Sequence, residues 1–290
     1  VRHESDHAAR SGPGEPPATG SPTVVRSRSA GGVATITLDS PGNANALSSA
    51  LVGQLRAAIA GALADAAVRV LVLTGAGRAF CSGADLTEAR TSPGRSAGLL
   101  AGVIEALWES GKPVVCRVNG AARAGGMGLV AACDIAVAPR RATFAFSEVR
   151  IGVAPAVISV PCLRRIAPRA AAELFLTGEV FDADRAAAIG LISRAVPDGD
   201  LDAVTGGYVA ALLRAAPGAI AATKAILREG AGGTVADGLR RMSELSGSLF
   251  AGEEAREGML AFAERRDPAW VAGPPQAAAR PRDGRGHGSR

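Results

Sequence analysis

Two glycine-rich corners are the places where this chain could do chemistry without a reactive side chain. SGAD (82–85) and AGGMG (124–128) each follow an apolar run that reads as a buried strand, and each presents backbone N–H groups. A helix starting after Gly125 leaves its first N–H groups unpaired and carries roughly half a positive charge at that end. Two such N–H groups meeting one carbonyl oxygen would stabilise an enolate or tetrahedral oxyanion, a contribution of about 3 to 4 kcal/mol per donor. Either corner alone is more simply a turn. The residue census narrows the rest of the chemistry. His3, His7 and His287 are the only histidines and all lie in terminal segments; the one tyrosine is Tyr208. With no imidazole in the body, serine–histidine and cysteine–histidine mechanisms are disfavoured, and proton transfer falls to Asp, Glu, Lys, Cys or water.

Other ligand classes are argued against by spacing. TGAGRAF (74–80) follows a strand, but the third glycine of a dinucleotide fingerprint would fall on Phe80, and no G-x-x-x-x-G-K-[ST] is present. Cys81, Cys116, Cys133 and Cys162 are far apart with no histidine near them, so neither a zinc site nor a disulfide framework is expected, and no metal site is assigned. Of the net charge of +5, three units come from the last 18 residues, and aromatics make up 3% of the chain, which leaves little on which to stack bases; no nucleic-acid partner is expected.

The elements that must position the corners follow from periodicity. VATITL (33–38) alternates as a half-buried strand. Ser48 or Ser49 then caps a helix whose Leu51, Leu55, Ile59 and Leu63 keep a four-residue step. VRVLVLTG (68–75) reads as a buried parallel strand, followed by a long loop and a helix over 96–109. PVVCRV (113–118), the second corner, a short helix to Cys133 and the strand DIAVA (134–138) complete a third unit. Alternating strands and helices predict an α/β architecture of crossover units. From about 155 the pattern turns helical, with helices expected over 157–166, 168–176, 182–189, 200–214, 217–229, 232–248 and 253–265. Residues 1–22 and a basic 273–290 read as disordered tails around a core (23–200) and a helical region (201–272). No apolar run reaches the roughly 20 residues that span a bilayer, and the first residues lack a signal-peptide core, so no membrane association and a cytoplasmic location are expected.

With these pieces in order, the chain resembles the crotonase (enoyl-CoA hydratase/isomerase) family. The resemblance rests on NAL (45–47), FCSGADL (80–86), KPVVCRVNGAARAGGMGLVAACDIAVA from 112, ATFAFSEVRIGVAP (142–155), LFLTGEVFDADRAAAIGLISRAV (174–196) and EGMLAFAERRDPAW (257–270), and it covers residues 23–270. It implies a spiral of ββα units with a C-terminal helical trimerisation region, assembly as a homotrimer or dimer of trimers, and acyl-CoA thioester substrates with no separate cofactor. The closest motif likeness is to bacterial enoyl-CoA and methylglutaconyl-CoA-type hydratases. The N–H groups of Ala84 and Gly125 would then form the oxyanion hole. Asp85, Leu86 and Gly126 would frame the acyl portion, although Asp85 also reads as a simple cap. Ala44, Ser82, Phe262, Arg265 and, more weakly, Lys224 are the residues expected at coenzyme A.

Hydratases of this family commonly carry two glutamates. The second is present as Glu148, and its pKa should be raised by an apolar pocket containing Phe144 and Phe146. At the first position stands Gly128. Three explanations are open: a non-hydrating isomerase or decarboxylase, a hydratase in which glycine makes room for a branched or carboxyl-bearing acyl group, or lost catalysis. The second is preferred, with Arg123 and Arg150 as forks for a distal carboxylate. The expected activity is therefore reversible hydration of a trans-2-enoyl-CoA. The rival outside enzymes is a non-catalytic acyl-CoA-binding or nucleic-acid-binding protein. Asp134 and Lys112 are read as strand-entry residues.

Overall fold

The computed structural model describes residues 24–91, 95–229 and 233–271, so both tails and all three histidines lie outside the described residues. The first hairpin, β1 (Val25–Ala30) and β2 (Val33–Leu38), is antiparallel. Helix α1 (Ser49–Ala64) follows, with the Ser48 hydroxyl accepting the Leu51 N–H at 3.2 Å and Leu51, Leu55 and Ile59 buried. From there the chain repeats one step: a strand in a main sheet, a short strand in a second sheet, then a helical segment. The steps are β3 (Val70–Gly75), β4 (Ala79–Cys81), α2 (Leu86–Thr91) and α3 (Arg95–Glu109); β5 (Val114–Arg117), β6 (Ala121–Arg123) and α4 (Gly125–Ala132); and β7 (Ile135–Pro139), β8 (Thr143–Ala145), a 3-10 turn (Ser147–Ile151), α5 (Ala156–Cys162) and α6 (Pro168–Thr177). The chain ends in β9 (Phe181–Asp182), α7 (Ala183–Ala188), β10 (Arg194–Val196), α8 (Leu201–Arg214), α9 (Pro217–Glu229), α10 (Val235–Phe250) and α11 (Glu253–Glu264).

The main sheet has the order β1-β2-β3-β5-β7-β10 and is parallel from β2 onward; the second has the order β4-β6-β8-β9. This is the α/β architecture of crossover units that the alternating pattern predicts, wound as the spiral that the family resemblance implies. The continuous apolar run of β3 has its reason in the layers. Leu71 and Leu73 join α1, α3 and α4 in the main core, while Val70, Val72 and Val115 face Val209, Leu212 and Leu213 of α8. A strand covered on both faces cannot alternate, and each fully buried Leu or Val contributes about 1.5–3 kcal/mol.

Three features depart from the sequence pattern or go beyond it. β1 has only Val25 buried and its other residues exposed, so VRSRSA shows no alternation to read. Residues 181–182 and 194–196, within the stretch expected to be helical, are strands too short to show a period. α8 begins the expected helical region, yet it covers the main sheet through Leu201, Val204 and Tyr208 as well as the residues above. Among the described residues no single helix is long and apolar enough to cross a membrane.

Candidate active site

The first corner is built by two buried asparagines. Asn45, wholly buried with φ 58°, donates its amide to the carbonyls of Ala76 and Ala79 (both 3.0 Å) and Phe80 (3.2 Å), and accepts the Ser40 N–H at 2.8 Å. Asn119 donates to Gly77 (3.0 Å) and Ala79 (3.1 Å) and accepts the Gly75 N–H at 3.0 Å. The loop between β3 and β4 is thereby held from both sides, and Gly120 is required because a Cβ there would lie 2.0 Å from the Arg78 carbonyl oxygen. The chain then delivers Ser82, Gly83 and Ala84. Ser82 N–H donates to the Ala44 carbonyl (3.0 Å), and Gly83 O accepts the Leu47 N–H (2.7 Å). Asp85 accepts the N–H groups of Thr87 and Glu88 at 3.0 and 3.2 Å, so it is the cap of α2, and Glu88 in turn accepts the Ser49 N–H at 2.7 Å at the start of α1. The Ala84 N–H donates to no acceptor among the described residues.

The second corner relies little on polar side chains: among the described residues only the Cys162 thiol reaches it, at the Met127 carbonyl (3.7 Å). β6 lies between β4 and β8, with Ala122 opposite Cys81 and Arg123 opposite Ala145. Ala124 then takes φ 46°, ψ −119°, a conformation that costs a non-glycine residue about 1–3 kcal/mol. Its N–H donates to Ala145 O (3.1 Å) and its carbonyl accepts the Met127 N–H (2.8 Å). α4 starts at Gly125, every residue of it is buried, and the Gly125 N–H has no acceptor among the described residues. Its glycines are required by proximity. A Cβ would meet Leu47 at 2.5 Å from Gly125, Cys81 at 2.8 Å from Gly126, and the Ile158 Cγ2 at 2.6 Å and Ile104 Cδ1 at 3.0 Å from Gly128.

Glu148 sits in the 3-10 turn three residues beyond Ala145. It is half-buried, its Oε2 makes no hydrogen bond among the described residues, and burial raises its pKa, partly offset by its own backbone N–H. Phe144 and Phe146 are both buried beside it in sequence, with the Phe146 ring tilted against Phe175 at 4.1 Å between centroids. The thiol of Cys162 is pushed up by burial and then by the Glu148 carboxylate, which places α5 alongside the acid. Cys162 and Ile158 are four residues apart on one face of α5, which therefore covers both Glu148 and Gly128.

The structure thus brings Ala84, Gly125 and Glu148 onto one set of adjoining elements, and it corrects several neighbours. Gly128 does not open room for an acyl group, because Ile158 and Ile104 already fill the direction of its missing side chain. Gly126 serves the packing of α4 on Cys81. Arg123 is neither a free fork nor a solvated residue: one terminal nitrogen donates to the Ala122 and Thr143 carbonyls (3.0 and 2.5 Å), the other to the Thr143 hydroxyl (2.8 Å), and burial lowers its pKa. Arg150 Nε donates to the Thr177 and Gly178 carbonyls at the end of α6. Lys224 is buried and paired with Asp134 at 2.6 Å, and it also donates to the Lys112 carbonyl at 3.0 Å, so it ties α9 to the strand entry and is not available to a phosphate. Asp134 accepts the Val114 N–H at 2.7 Å, and Lys112 donates to the carbonyls of Ala62 and Asp65. Leu86, Phe262 and the chain at Arg265, which caps α11 with φ 54°, are exposed. Sequence reasoning missed Asn45, Asn119, Ile104 and Ile158, and named Ala124 only as part of its corner. Only the asparagines carried a signal: each adjoins a small or turn-forming residue next to a corner.

The comparisons agree with this architecture. Residues 28–273 match the family model described as enoyl-CoA hydratase/isomerase. A Thermus thermophilus protein named for enoyl-CoA hydratase is 35% identical over 245 residues, covering 82% of this chain and 97% of its own. A carnitinyl-CoA dehydratase of Salmonella arizonae is 35% identical over 252 residues, covering 83% and 95%. The crystal structure of an enoyl-CoA hydratase from Mycobacterium smegmatis superposes with a TM-score of 0.81 at 33% identity, covering 87% of this chain and all of that one. The chain belongs to the enoyl-CoA hydratase/isomerase family.

Proposed function

We propose that this protein is a hydro-lyase that adds water reversibly to a trans-2-enoyl-CoA thioester. The observation that carries the reading is the pair of unpartnered N–H groups at Ala84 and Gly125, set beside a single desolvated carboxyl, Glu148. Two donors on the thioester oxygen draw electron density from the double bond and make the β carbon electrophilic. Glu148 in its ionised form accepts a proton from water as the water oxygen bonds to the β carbon, and the π electrons move to the thioester oxygen as an enolate. The same carboxyl returns the proton to the α carbon as the enolate collapses. A raised pKa suits one group to both transfers, because the protonated and ionised forms then lie closer in energy near neutral pH. Coenzyme A is part of the substrate, and no step requires another cofactor.

The acyl group proposed is uncharged, since Arg123 is engaged and Ile104 and Ile158 present hydrocarbon where the second acid of the family would stand. Ala44 and Ser82, joined at the first corner, and the exposed Phe262 and Arg265 are proposed at coenzyme A, with Phe262 and Arg265 serving a neighbouring subunit. Exposed Val235, Leu239 and Phe250 on α10 support a trimer or dimer of trimers, and a cytoplasmic location is proposed with it. The hydrocarbon around Gly128 favours one second reading: a lone base can carry a proton between the α and γ carbons, which is isomerisation.

A panel of acyl-CoA thioesters read by mass spectrometry separates these reactions by gain of water, shift of the double bond and loss of carbon dioxide. Gain of water, reduced at least about 100-fold in Glu148→Gln, is expected. Double-bond shift without gain of water selects isomerisation. Binding without turnover of any thioester would leave only a carrier of acyl-CoA.

A further inference from the structure

The two oxyanion donors are each the residue that follows one half of a single contact. A Cβ built on Gly83 would lie 2.8 Å from the Ala124 methyl and 3.2 Å from the Arg123 carbonyl oxygen, so the bare face of Gly83 receives that methyl. Ala84 follows Gly83, and Gly125 follows Ala124. Gly83 has φ 94° and Ala124 φ 46°, so both residues lie in left-handed backbone, one freely and one under strain. The Ala124 peptide is also clamped, by its N–H on Ala145 O and by Met127 N–H on its carbonyl. A glycine at 124 would adopt this backbone without strain but would leave the face of Gly83 empty.

We infer that Ala124 is a positioning residue for the reaction: its methyl, seated on Gly83, sets the separation of the Ala84 and Gly125 N–H groups. The inference rests on the oxyanion-hole reading above. Strained backbone that persists next to reacting atoms is retained where the surroundings over-determine it, and here the surroundings are the clamp and the Gly83 face. The contact acts on the enolate and not on coenzyme A, so its loss should separate turnover from binding.

The test compares Ala124→Gly and Ala124→Ser with the unaltered protein in three measurements: kcat and KM on an enoyl-CoA, affinity for coenzyme A alone, and the absorbance of bound acetoacetyl-CoA, whose enolate absorbs where its keto form does not. For Ala124→Gly we expect kcat to fall about tenfold, with the enolate signal reduced and coenzyme A affinity and melting temperature not lowered. Ala124→Ser, which keeps a Cβ, should recover most of both. Unchanged kcat and enolate signal in Ala124→Gly would overturn the inference, as would losses that track melting temperature or coenzyme A affinity. If the unaltered protein itself neither turns over an enoyl-CoA nor ionises acetoacetyl-CoA, the hole reading fails, and this inference with it.

Discussion

The two corners of the site do the same job by opposite means. At Ser82–Ala84 the chain is suspended from polar side chains: Asn45 and Asn119 bind five carbonyl contacts in the loop before it, and Asp85 and Glu88 fasten the helix after it. At Ala124–Gly128 the one side-chain hydrogen bond among the described residues is the long contact of the Cys162 thiol with the Met127 carbonyl (3.7 Å), and the helix start is held mainly because Leu47, Cys81, Ile104 and Ile158 press against bare glycines. A polar suspension aims a loop in direction but leaves volume free around it. A steric clamp fixes a helix end but leaves little room for a side chain at its glycines. The proposed oxyanion hole, made of one of each, is therefore vulnerable to different substitutions on its two sides.

The largest effect is expected where the clamp is overfilled. Gly128→Glu would place an acid where Ile158 Cγ2 and Ile104 Cδ1 already stand, combining overpacking with an unpaired buried charge, and should cost about 4 kcal/mol in urea denaturation. Partial recovery in Gly128→Glu with Ile158→Ala would sharpen the steric account; tolerance of the glutamate alone would break it. On the polar side, Asn119→Ala leaves the Gly75 N–H and the Gly77 carbonyl without their partner, while Asn45 still holds the Ala79 carbonyl, and should cost about 3 kcal/mol by the same measurement. If it lowers stability but not turnover, the suspension does not aim the Ala84 donor.

Beyond the C-terminal end of α4, Lys224→Met removes one partner of a buried pair and should cost about 2 kcal/mol, while coenzyme A affinity stays the same. A large loss of coenzyme A affinity would return Lys224 to the ligand. Between the corners, Glu148 gives a pH signature. Its folded pKa is raised, so its stabilising contribution is complete below the ordinary carboxylate range and is lost as pH rises through the raised value. Melting temperatures of Glu148→Gln and the unaltered protein should converge in acid, and the glutamine variant should gain relative stability toward neutral pH. A constant difference would show that the carboxyl is not desolvated. The smallest change is expected from Arg123→Met, less than about twofold in the ratio of kcat/KM for a carboxyl-bearing over a plain enoyl-CoA, because its nitrogens are already bonded to Thr143 and Ala122.

Much of the fold was legible because its information is local. The alternation of 33–38, the unbroken apolar run before Gly75 and the four-residue step of α1 each report how a strand or helix is covered. The exposed β1 and the two- and three-residue strands β9 and β10 had no such pattern to show. The site divided along the same line. The glycine corners, the placing of the histidines and the acid at 148 are properties of short stretches and of composition, so the sequence alone could present them as candidates.

What the sequence by itself determined was the run of main-sheet strands and helices around the two glycine corners, the candidate donors and acid, and the likeness to the family. The tertiary structure alone decided what the absent side chain at 128 means, because that depends on residues 24 and 30 positions away meeting at one point. It also turned Lys224 from a candidate for coenzyme A into the partner of Asp134, 90 residues distant, and gave Arg123 to Thr143. Close packing is a property of surfaces that meet, and a glycine carries no record in the sequence of which neighbour fills its place.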